Sequence, residues 1–282
     1  MIKYRLIFTD LDDTLLDHYT NSFKPAARLL AGLSERGIPV IINSSKPFAE
    51  IVRIRKKMAN TDPFIVENGA AIYLPKYRFP RCPDHCSEYG DYWFYSNVRL
   101  REHWLMLMRG FESQFSSLYT AMSEMSIEEI EEFTDLSAED AKYAAKRQFS
   151  EALYWHGRDE DKKLFIETIQ GWGGYVLEGG RFLHVGDRTS KGSAMQWLCR
   201  CYDHHFSTRQ FQTYALGDSP NDVDMLECAD WAVVVASPGH PAPKLERVEQ
   251  VVYTKKCGPE GWAESLMQLL NIPEFVLPEL KK

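Results

Sequence analysis

Two aspartates stand two residues apart in Phe8-Thr9-Asp10-Leu11-Asp12-Asp13-Thr14-Leu15, and two more stand four apart in Gly217-Asp218-Ser219-Pro220-Asn221-Asp222. Carboxylate oxygens are the preferred ligands of Mg²⁺, which retains part of its water and accepts phosphate oxygens in its remaining positions. A lysine, Lys191, and a hydroxyl, Ser44, complete a set suited to phosphoryl transfer: nucleophile, metal ligands, a fixed cation and a donor to phosphoryl oxygens. A D-x-D pair alone also occurs in acidic turns and in glycosyltransferases. The weight rests on the four elements together.

Each of these residues falls at a strand end or a helix start. Tyr4 to Thr9 reads as a strand, followed by a helix from Phe23 to Arg36 that Gly37 stops, and a second strand from Ile38 to Asn43. Ser44 and Ser45 offer N-cap hydroxyls to a helix from Pro47 to Met58. Phe64 to Glu67 is a third strand, Asn68-Gly69 a hairpin signal, and Ala70 to Leu74 the returning strand. The alternation resumes with a helix from Lys191, a strand from Thr213 to Leu216, a helix from Asp222 to Cys228 and the apolar run Trp231 to Ala236. Strands alternating with helices predict right-handed βαβ units, and so an α/β, doubly wound parallel sheet whose ligands bind at the carboxyl ends of the strands. Lysine at a helix start opposes the helix dipole, which favours an anion-binding role for Lys191.

Between these halves the composition changes. Pro80, Cys82, Pro83 and Gly90 mark a break, and acidic segments follow with capping-box spacing at Ser126–Glu129 and Ser137–Asp140. Glu151 to His156, a helix from Asp159 to Trp172 and two strands, Tyr175 to Glu178 and Phe182 to Val185, complete an inserted α+β cap. The expected domains are a core of residues 1–82 and 188–282 and a cap of residues 83–187.

The 282 residues carry 33 Lys and Arg against 40 Asp and Glu, a net charge of −7, which argues against non-specific binding to nucleic acid. No apolar run approaches the ~18 residues of a membrane span, and Met1 to Arg5 leads directly into acidic sequence, so a soluble cytoplasmic protein without a secretory leader is expected. The six cysteines read as thiols, and Cys82-Pro83-Asp84-His85-Cys86 as a loop in preference to a zinc site. By the expected domains the first core segment carries +5, the cap −10 and the second core segment −2. A basic core beneath an acidic cap would need local cations at the substrate end of the cap, and Lys142, Lys146 and Arg147 are the nearest.

In this order Asp10-Leu11-Asp12, Ser44, Lys191 and Gly217 to Asp222 resemble the four motifs of haloacid dehalogenase-like (HAD) phosphatases. Asn43-Ser44-Ser45-Lys46, Pro63 to Ala70, Phe149-Ser150-Glu151, Phe182 to Val185 and Gly258 to Trp262 are similar to the mannosyl-3-phosphoglycerate phosphatases. Two departures stand out: Asp13 replaces the glycine usual after the second aspartate, and Pro47 the threonine usual after Lys46. The resemblance implies a Rossmann-like core and Mg²⁺ held by Asp10, Asp12, Asp218 and Asp222. It makes Asp10 the nucleophile and Asp12 the acid and base, with Lys191 and Ser44 on the phosphoryl group. Lys46, Glu67, Asn68, Glu151, His184 and Asn221, with Ser44 and Lys191, would contact substrate. The implied partner is a phosphorylated sugar-glycerate, mannosyl- or glucosyl-3-phosphoglycerate, and the implied product a glycosylglycerate of the compatible-solute type. A broader sugar-phosphate phosphatase, a phosphomutase and a phosphate-accepting receiver domain are the alternatives. The second acidic pair and the hundred-residue cap count against the receiver domain.

Overall fold

The computed structural model describes residues 4–134, 136–179, 181–206 and 210–279. In chain order its elements begin with β1 (Tyr4–Thr9), α1 (Ala27–Glu35), β2 (Val40–Asn43), α2 (Phe48–Lys57), β3 (Phe64–Val66), β4 (Ala71–Pro75), β5 (Ser87–Tyr89) and β6 (Tyr92–Tyr95). Next come α3 (Arg101–Arg109), α4 (Glu112–Phe115), β7 (Tyr119–Ala121), α5 (Ile127–Thr134), α6 (Ala138–Ala144), β8 (Glu151–Trp155), α7 (Asp159–Gly171), β9 (Tyr175–Gly179) and β10 (Phe182–Gly186). The chain closes with α8 (Lys191–His205), β11 (Phe211–Gly217), α9 (Val223–Cys228), β12 (Trp231–Ala236), β13 (Val251–Cys257) and α10 (Gly258–Leu270). No helix among the described residues is long and apolar enough to cross a membrane.

Contacts divide the chain into two compact units. The first comprises Met1–Ser44, Ile54–Ser96 and Ser190–Lys282, and the second Ser45–Arg53 and Asn97–Thr189, so that α2 is split between them.

The first unit is built on a nine-stranded sheet in the order β13-β12-β11-β1-β2-β3-β4-β6-β5. Strands β13 to β3 are parallel, and β4, β6 and β5 add an antiparallel edge. The central strands are apolar on both faces, as strands covered by helices on each side must be. Leu6, Ile7 and Phe8 of β1 are all fully buried. Strand alternation sends Leu6 and Phe8 to one face, where they pack with Ala194, Met195 and Leu198 of α8 and Met225 and Leu226 of α9. It sends Thr9 to the other face, where its Oγ1 accepts a 3.0 Å hydrogen bond from Nε1 of the fully buried Trp262 on α10. The sheet is thereby covered on both sides, the doubly wound α/β architecture expected.

The border after residue 82 falls elsewhere. Strand β6 pairs with β4 and β5 pairs with β6, so the chain as far as Ser96 extends the core sheet, and the first unit resumes at Ser190. The cause is aromatic packing. Tyr92 meets Phe64 edge to face with ring centroids 5.5 Å apart, Phe94 lies 5.1 Å from Tyr73, and Tyr95 stacks on Trp197 at 4.0 Å. Pro80 and Cys82 mark a loop within a domain, a distinction that turn residues alone do not make.

The charge balance moves with the border. The first unit has 20 basic and 22 acidic residues, a net −2, and the second 13 and 18, a net −5. Asp84, Glu88 and Asp91 join the first unit, while Lys46, Glu50, Arg53 and Arg188 leave it. The positive surplus expected of the core is absent.

The second unit is an antiparallel sheet in the order β7-β8-β10-β9. Leu153 and Val185 face a core with Trp104 and Met108 of α3 and Phe165 and Ile169 of α7, whereas Ala152 faces Met122, Ile130 of α5 and Ala141 of α6. The first acidic helix opens on the full capping box, the second on its N-cap serine alone. Ser126 N–H donates to Glu129 at 2.7 Å and Glu129 N–H to Ser126 Oγ at 3.1 Å, while Asp140 N–H donates to Ser137 Oγ at 3.2 Å. Elsewhere the agreement is closest in the interior of elements and loosest at their ends. The first turn expected of the helix from Phe23 is a separate 3₁₀ turn, Lys24–Ala26. The sequence assigns no element to what are β5, β6, α3, α4, β7, β13 and α10.

The bond between Trp262 and Thr9 ties α10 to the strand that carries Asp10. Trp262→Phe should lower unfolding free energy by about 1–3 kcal/mol through the buried hydroxyl left without its donor, and Trp262→Ala by about 3–5 kcal/mol. Urea denaturation of the two variants tests this, and a Phe variant as stable as the parent would show that the hydrogen bond contributes nothing.

Candidate active site

Three adjacent parallel strands deliver the principal groups. Asp10 follows β1, and its N–H continues the ladder to Leu216 O of β11 at 2.9 Å; Asp218 follows β11; Ser44 follows β2, its N–H on Ile65 O at 3.2 Å. All three residues are buried at the carboxyl ends of their strands.

Lys191 enters as the first residue of α8, whose N-cap Ser190 accepts from Ser193 N–H. Its side chain is fully buried, and its ammonium donates to Asp10 Oδ1 at 2.7 Å and to Asp222 Oδ1 at 2.6 Å. The second oxygen of Asp222 accepts the N–H groups of Asp218 and Ser219, each at 3.1 Å. Asp222 thus folds the loop after β11 and fixes the lysine. Two close approaches set this geometry. A Cβ on Gly217 would lie 2.5 Å from Cβ and Cγ of Asp222. Gly69, at φ +93°, ends a turn in which Glu67 and Asn68 also have positive φ, and a Cβ there would lie 2.3 Å from Ser190 O, immediately before Lys191.

The neighbouring groups complete the first unit's site. Thr14 Oγ1 donates to Asp218 Oδ1 at 2.6 Å. Asn68 N–H donates to Ser44 O at 3.0 Å, and Asn221 Nδ2 donates to Asn68 Oδ1 at 3.0 Å. Asp12, half-buried, lies near enough to raise the pKa of Asp10, and Glu67 is buried close to Tyr73. Asp10, Asp12, Ser44, Glu67, Asn68, Lys191, Asp218, Asn221 and Asp222 are therefore all in this unit, on the loops that follow its strands or at the start of α8.

The electrostatics follow from burial. Desolvation raises the pKa of Asp10 well above the carboxylate range; Lys191 opposes the shift, and Asp222, Asp218 and Asp12 add to it. Asp218 is pushed up to about 8, first by burial and then by Asp222, against the Thr14 hydrogen bond and Lys191. Burial works against the charge of Lys191, but Asp10 and Asp222 outweigh it and raise its pKa. One ammonium faces three carboxylates whose oxygens lie within 4.8 Å of one another, Asp10, Asp218 and Asp222. The all-oxygen donor set and the excess negative charge fit a hard divalent cation.

Lys46, Glu151 and His184 lie in the second unit. Lys46 pairs with Glu50 at 2.6 Å. Glu151 is completely buried; its Oε1 accepts Ser123 N–H at 2.9 Å and its Oε2 lies 3.6 Å from Arg101 Nε. Of the three cations expected at the substrate end, Lys142 and Lys146 are exposed, whereas Arg147 is buried and donates to Ser45 O at 3.1 Å and Ser150 Oγ at 3.0 Å. His184 Nδ1 is shielded from solvent with no hydrogen-bond partner among the described residues.

Sequence reasoning gave no role to Thr14 or His240. Thr14 stood inside the first motif, and its position one turn beyond Asp10 was the available signal. His240 follows β12, and the rule that ligand groups follow parallel strands applies there as well. Its Nε2 lies 2.9 Å from Asp218 Oδ2. Asp13 adopts φ +57°, a left-handed conformation natural to the glycine it replaces, and receives Ser237 Oγ at 2.6 Å and His18 Nδ1 at 2.8 Å.

Two outcomes follow. Lys191→Met should destabilise the metal-free protein by about 3–5 kcal/mol, because two buried carboxylates lose their counter-charge. A loss below about 1 kcal/mol in urea titration would show that solvent supplies the compensation. Burial, reinforced by Arg147, lowers the pKa of His184 to about 3. The unfolded chain then binds the extra proton, so this residue's contribution to stability is complete above about pH 6.5 and falls as pH drops towards 3. His184→Leu should flatten the decline of Tm across that window, and an unchanged slope would mean that the ring is protonated in the folded protein.

Comparison with known proteins agrees with this arrangement. The family described as haloacid dehalogenase-like hydrolase matches residues 7–79 and 111–243. A glucosyl-3-phosphoglycerate/mannosyl-3-phosphoglycerate phosphatase from Persephonella marina is 33% identical over 272 residues, 94% of this chain and 97% of that protein. Among solved structures, a HAD-superfamily phosphatase from Bacteroides thetaiotaomicron matches with a TM-score of 0.67 at 16% identity, covering 96% of each chain. The sucrose-phosphatase of Synechocystis, solved with sucrose and phosphate, matches with a TM-score of 0.58 at 14% identity, covering 95% of this chain and 98% of that one. Both structural likenesses concern the fold. With acidic residues after two parallel strands, a buried lysine joining them and a family match over most of its length, the chain belongs to the haloacid dehalogenase-like hydrolases.

Proposed function

We propose that this phosphoric monoester hydrolase acts on mannosyl-3-phosphoglycerate or glucosyl-3-phosphoglycerate, releasing phosphate and the glycosylglycerate, with Mg²⁺ as its cation. The observation that carries the substrate is the 33% identity across 94% of the chain to the Persephonella marina phosphatase, which spans both units. The reading places the enzyme in the cytoplasm, in the formation of a compatible solute.

Uncatalysed phosphate monoester hydrolysis leaves up to ~10²¹-fold to be supplied, against about 10²- to 10⁴-fold from one general acid. Covalent catalysis divides the task. A carboxylate oxygen of Asp10 attacks phosphorus as the ester oxygen departs, and Asp12 gives that oxygen its proton. Asp12 then takes a proton from the water that attacks the aspartyl-phosphate, restoring Asp10 and releasing phosphate. Lys191 and the Ser44 hydroxyl hold phosphoryl oxygens, and the ammonium orients Asp10 through their 2.7 Å contact. Asp10 and Asp218, with Asp12, would hold the cation, which when bound supplies charge neutralisation on the transferring group. Asp222 supports Lys191 and the loop, and Asn221 and Asn68 border the same face. In the second unit, Lys46, Glu151 and His184 are assigned to the sugar-glycerate part, with Glu151 acting through the arginines beside it.

Asp10→Asn should abolish phosphate release while far-ultraviolet circular dichroism stays unchanged; retained turnover would remove Asp10 as the nucleophile. A phosphate-release panel of mannosyl- and glucosyl-3-phosphoglycerate, sucrose and mannose phosphates and 3-phosphoglycerate should show the highest kcat/KM for a glycosyl-phosphoglycerate. Preference for a substrate without the glycerate would overturn the substrate and favour a broader sugar-phosphate phosphatase. Isomerisation without phosphate release would instead indicate a mutase.

A further inference from the structure

The stretch Gly258 to Trp262 opens α10, and no step of the chemistry above uses it. Its seat is closely built. A Cβ on Gly261 would lie 2.1 Å from Lys256 O, so glycine is what lets this turn rest against the end of β13. The next residue, Trp262, is fully buried and gives its one side-chain donor, Nε1–H, to Thr9 Oγ1 at 3.0 Å. The Thr9 hydroxyl spends its own hydrogen further on: it donates to the main-chain carbonyl oxygen of Asp10 at 2.7 Å. An indole N–H only donates and a carbonyl only accepts, so the chain of bonds has one polarity, from Trp262 through Thr9 to Asp10.

Asp10 stands where the chain leaves the sheet. The register of β1 with β11 ends at the pair Thr9 and Leu216, and the Asp10 N–H still reaches Leu216 O at 2.9 Å. Beyond it the backbone turns, with the N–H groups of Thr14, Leu15 and Leu16 converging on Leu11 O. Both main-chain polar groups of Asp10 are thus held, the N–H by the sheet and the carbonyl by Thr9. Holding both sets the direction of the Cα–Cβ bond and leaves only the side-chain torsions, and Lys191 then takes Oδ1 at 2.7 Å. We propose that Thr9 is a positioning residue for the hydrolysis: its hydroxyl, oriented by Trp262, fixes the peptide after Asp10 and so the line along which the Asp10 carboxylate meets phosphorus. This role rests on the reading of Asp10 as the nucleophile, and the two are tested apart. A displacement of about 1 Å at a reacting group costs on the order of a hundredfold in rate, so one hydroxyl in this place has a measurable effect.

The full-length parent is compared with Thr9→Val, Thr9→Ser, Trp262→Phe, the combined Thr9→Val and Trp262→Phe variant, and Asp10→Asn. Valine keeps the branched shape and removes both bonds, and serine keeps the hydroxyl. Steady-state kcat and KM are measured with mannosyl-3-phosphoglycerate, and Tm for each protein. Beryllium fluoride, which bonds to a carboxylate oxygen in the place of a phosphoryl group, is titrated with MgCl₂ present and followed by fluorine NMR. In Thr9→Val, kcat and fluoroberyllate affinity should each fall about tenfold or more while KM changes by less than about threefold. Thr9→Ser should recover most of both losses, Trp262→Phe should show a smaller loss, and the combined variant should be no worse than Thr9→Val. Parent kcat and fluoroberyllate affinity in Thr9→Val despite a lowered Tm would overturn the role and leave Thr9 a packing residue. So would a Thr9→Ser variant as impaired as Thr9→Val, or losses that multiply in the combined variant. If Thr9→Val does not fold, undiminished kcat in Trp262→Phe overturns the role by itself. Retained turnover or fluoroberyllate binding in Asp10→Asn would instead overturn the reading of Asp10.

Discussion

A single ammonium, fully buried between two carboxylates, organises this molecule. Lys191 joins the start of α8 to the end of β1 through Asp10 and to the loop after β11 through Asp222. Removed from water, an ammonium costs several kcal/mol unless it is paired with good geometry, and two contacts of 2.6–2.7 Å provide that pairing. The backbone conforms to it. Gly217 lets Asp222 approach, Gly69 lets its turn lie against Ser190, and Asp222 spends its other oxygen on two amides. Burial, and then the excess of negative over positive charge in the cluster, raises the pKa of Asp10 and Asp218.

The second unit follows a different logic. Its acidic helix α5 opens on a capping box, and α6 on the N-cap Ser137 with Arg53 of the same unit beside it, Nε 2.8 Å from Asp140 Oδ1. Its buried polar groups gather elsewhere, around Glu151, with Arg101 at 3.6 Å and Ser123 N–H at 2.9 Å. Burial raises the pKa of Glu151 and lowers that of His184; Arg147 opposes the first shift and adds to the second. Buried charges of this kind are poor stabilisers compared with apolar packing.

Charge illustrates how a sequence-level sum depends on where a domain ends. The hairpin of β5 and β6 is tied into the core sheet by Tyr92, Phe94 and Tyr95, and it carries acidic residues with it. The core is mildly acidic, so attraction of an anionic phosphate depends on the placement of a few cations, and not on the net charge of the domain.

The sequence by itself determined the alternation of strands and helices in the core and which polar residues stand at its strand ends and helix starts. Asp10, Asp12, Ser44, Lys191 and Asp218 were legible because each follows a strand or opens a helix, and strand ends of a parallel sheet converge on one edge whatever the details of packing. The buried βα alternation and the N-cap serines of α5 and α6 were legible for a similar reason: period and local hydrogen-bonding chemistry are written within a few neighbouring residues. What required the tertiary structure were relations between distant segments. That Asp222 holds Lys191, that Thr14 and His240 flank Asp218, that Trp262 binds Thr9, and that an aromatic hairpin belongs to the core each depend on residues brought together across long separations in the chain. Side chains acquire those partners only when the sheet closes its order, since a strand's neighbours are set by pairing and crossover and not by the residues adjacent to it in sequence.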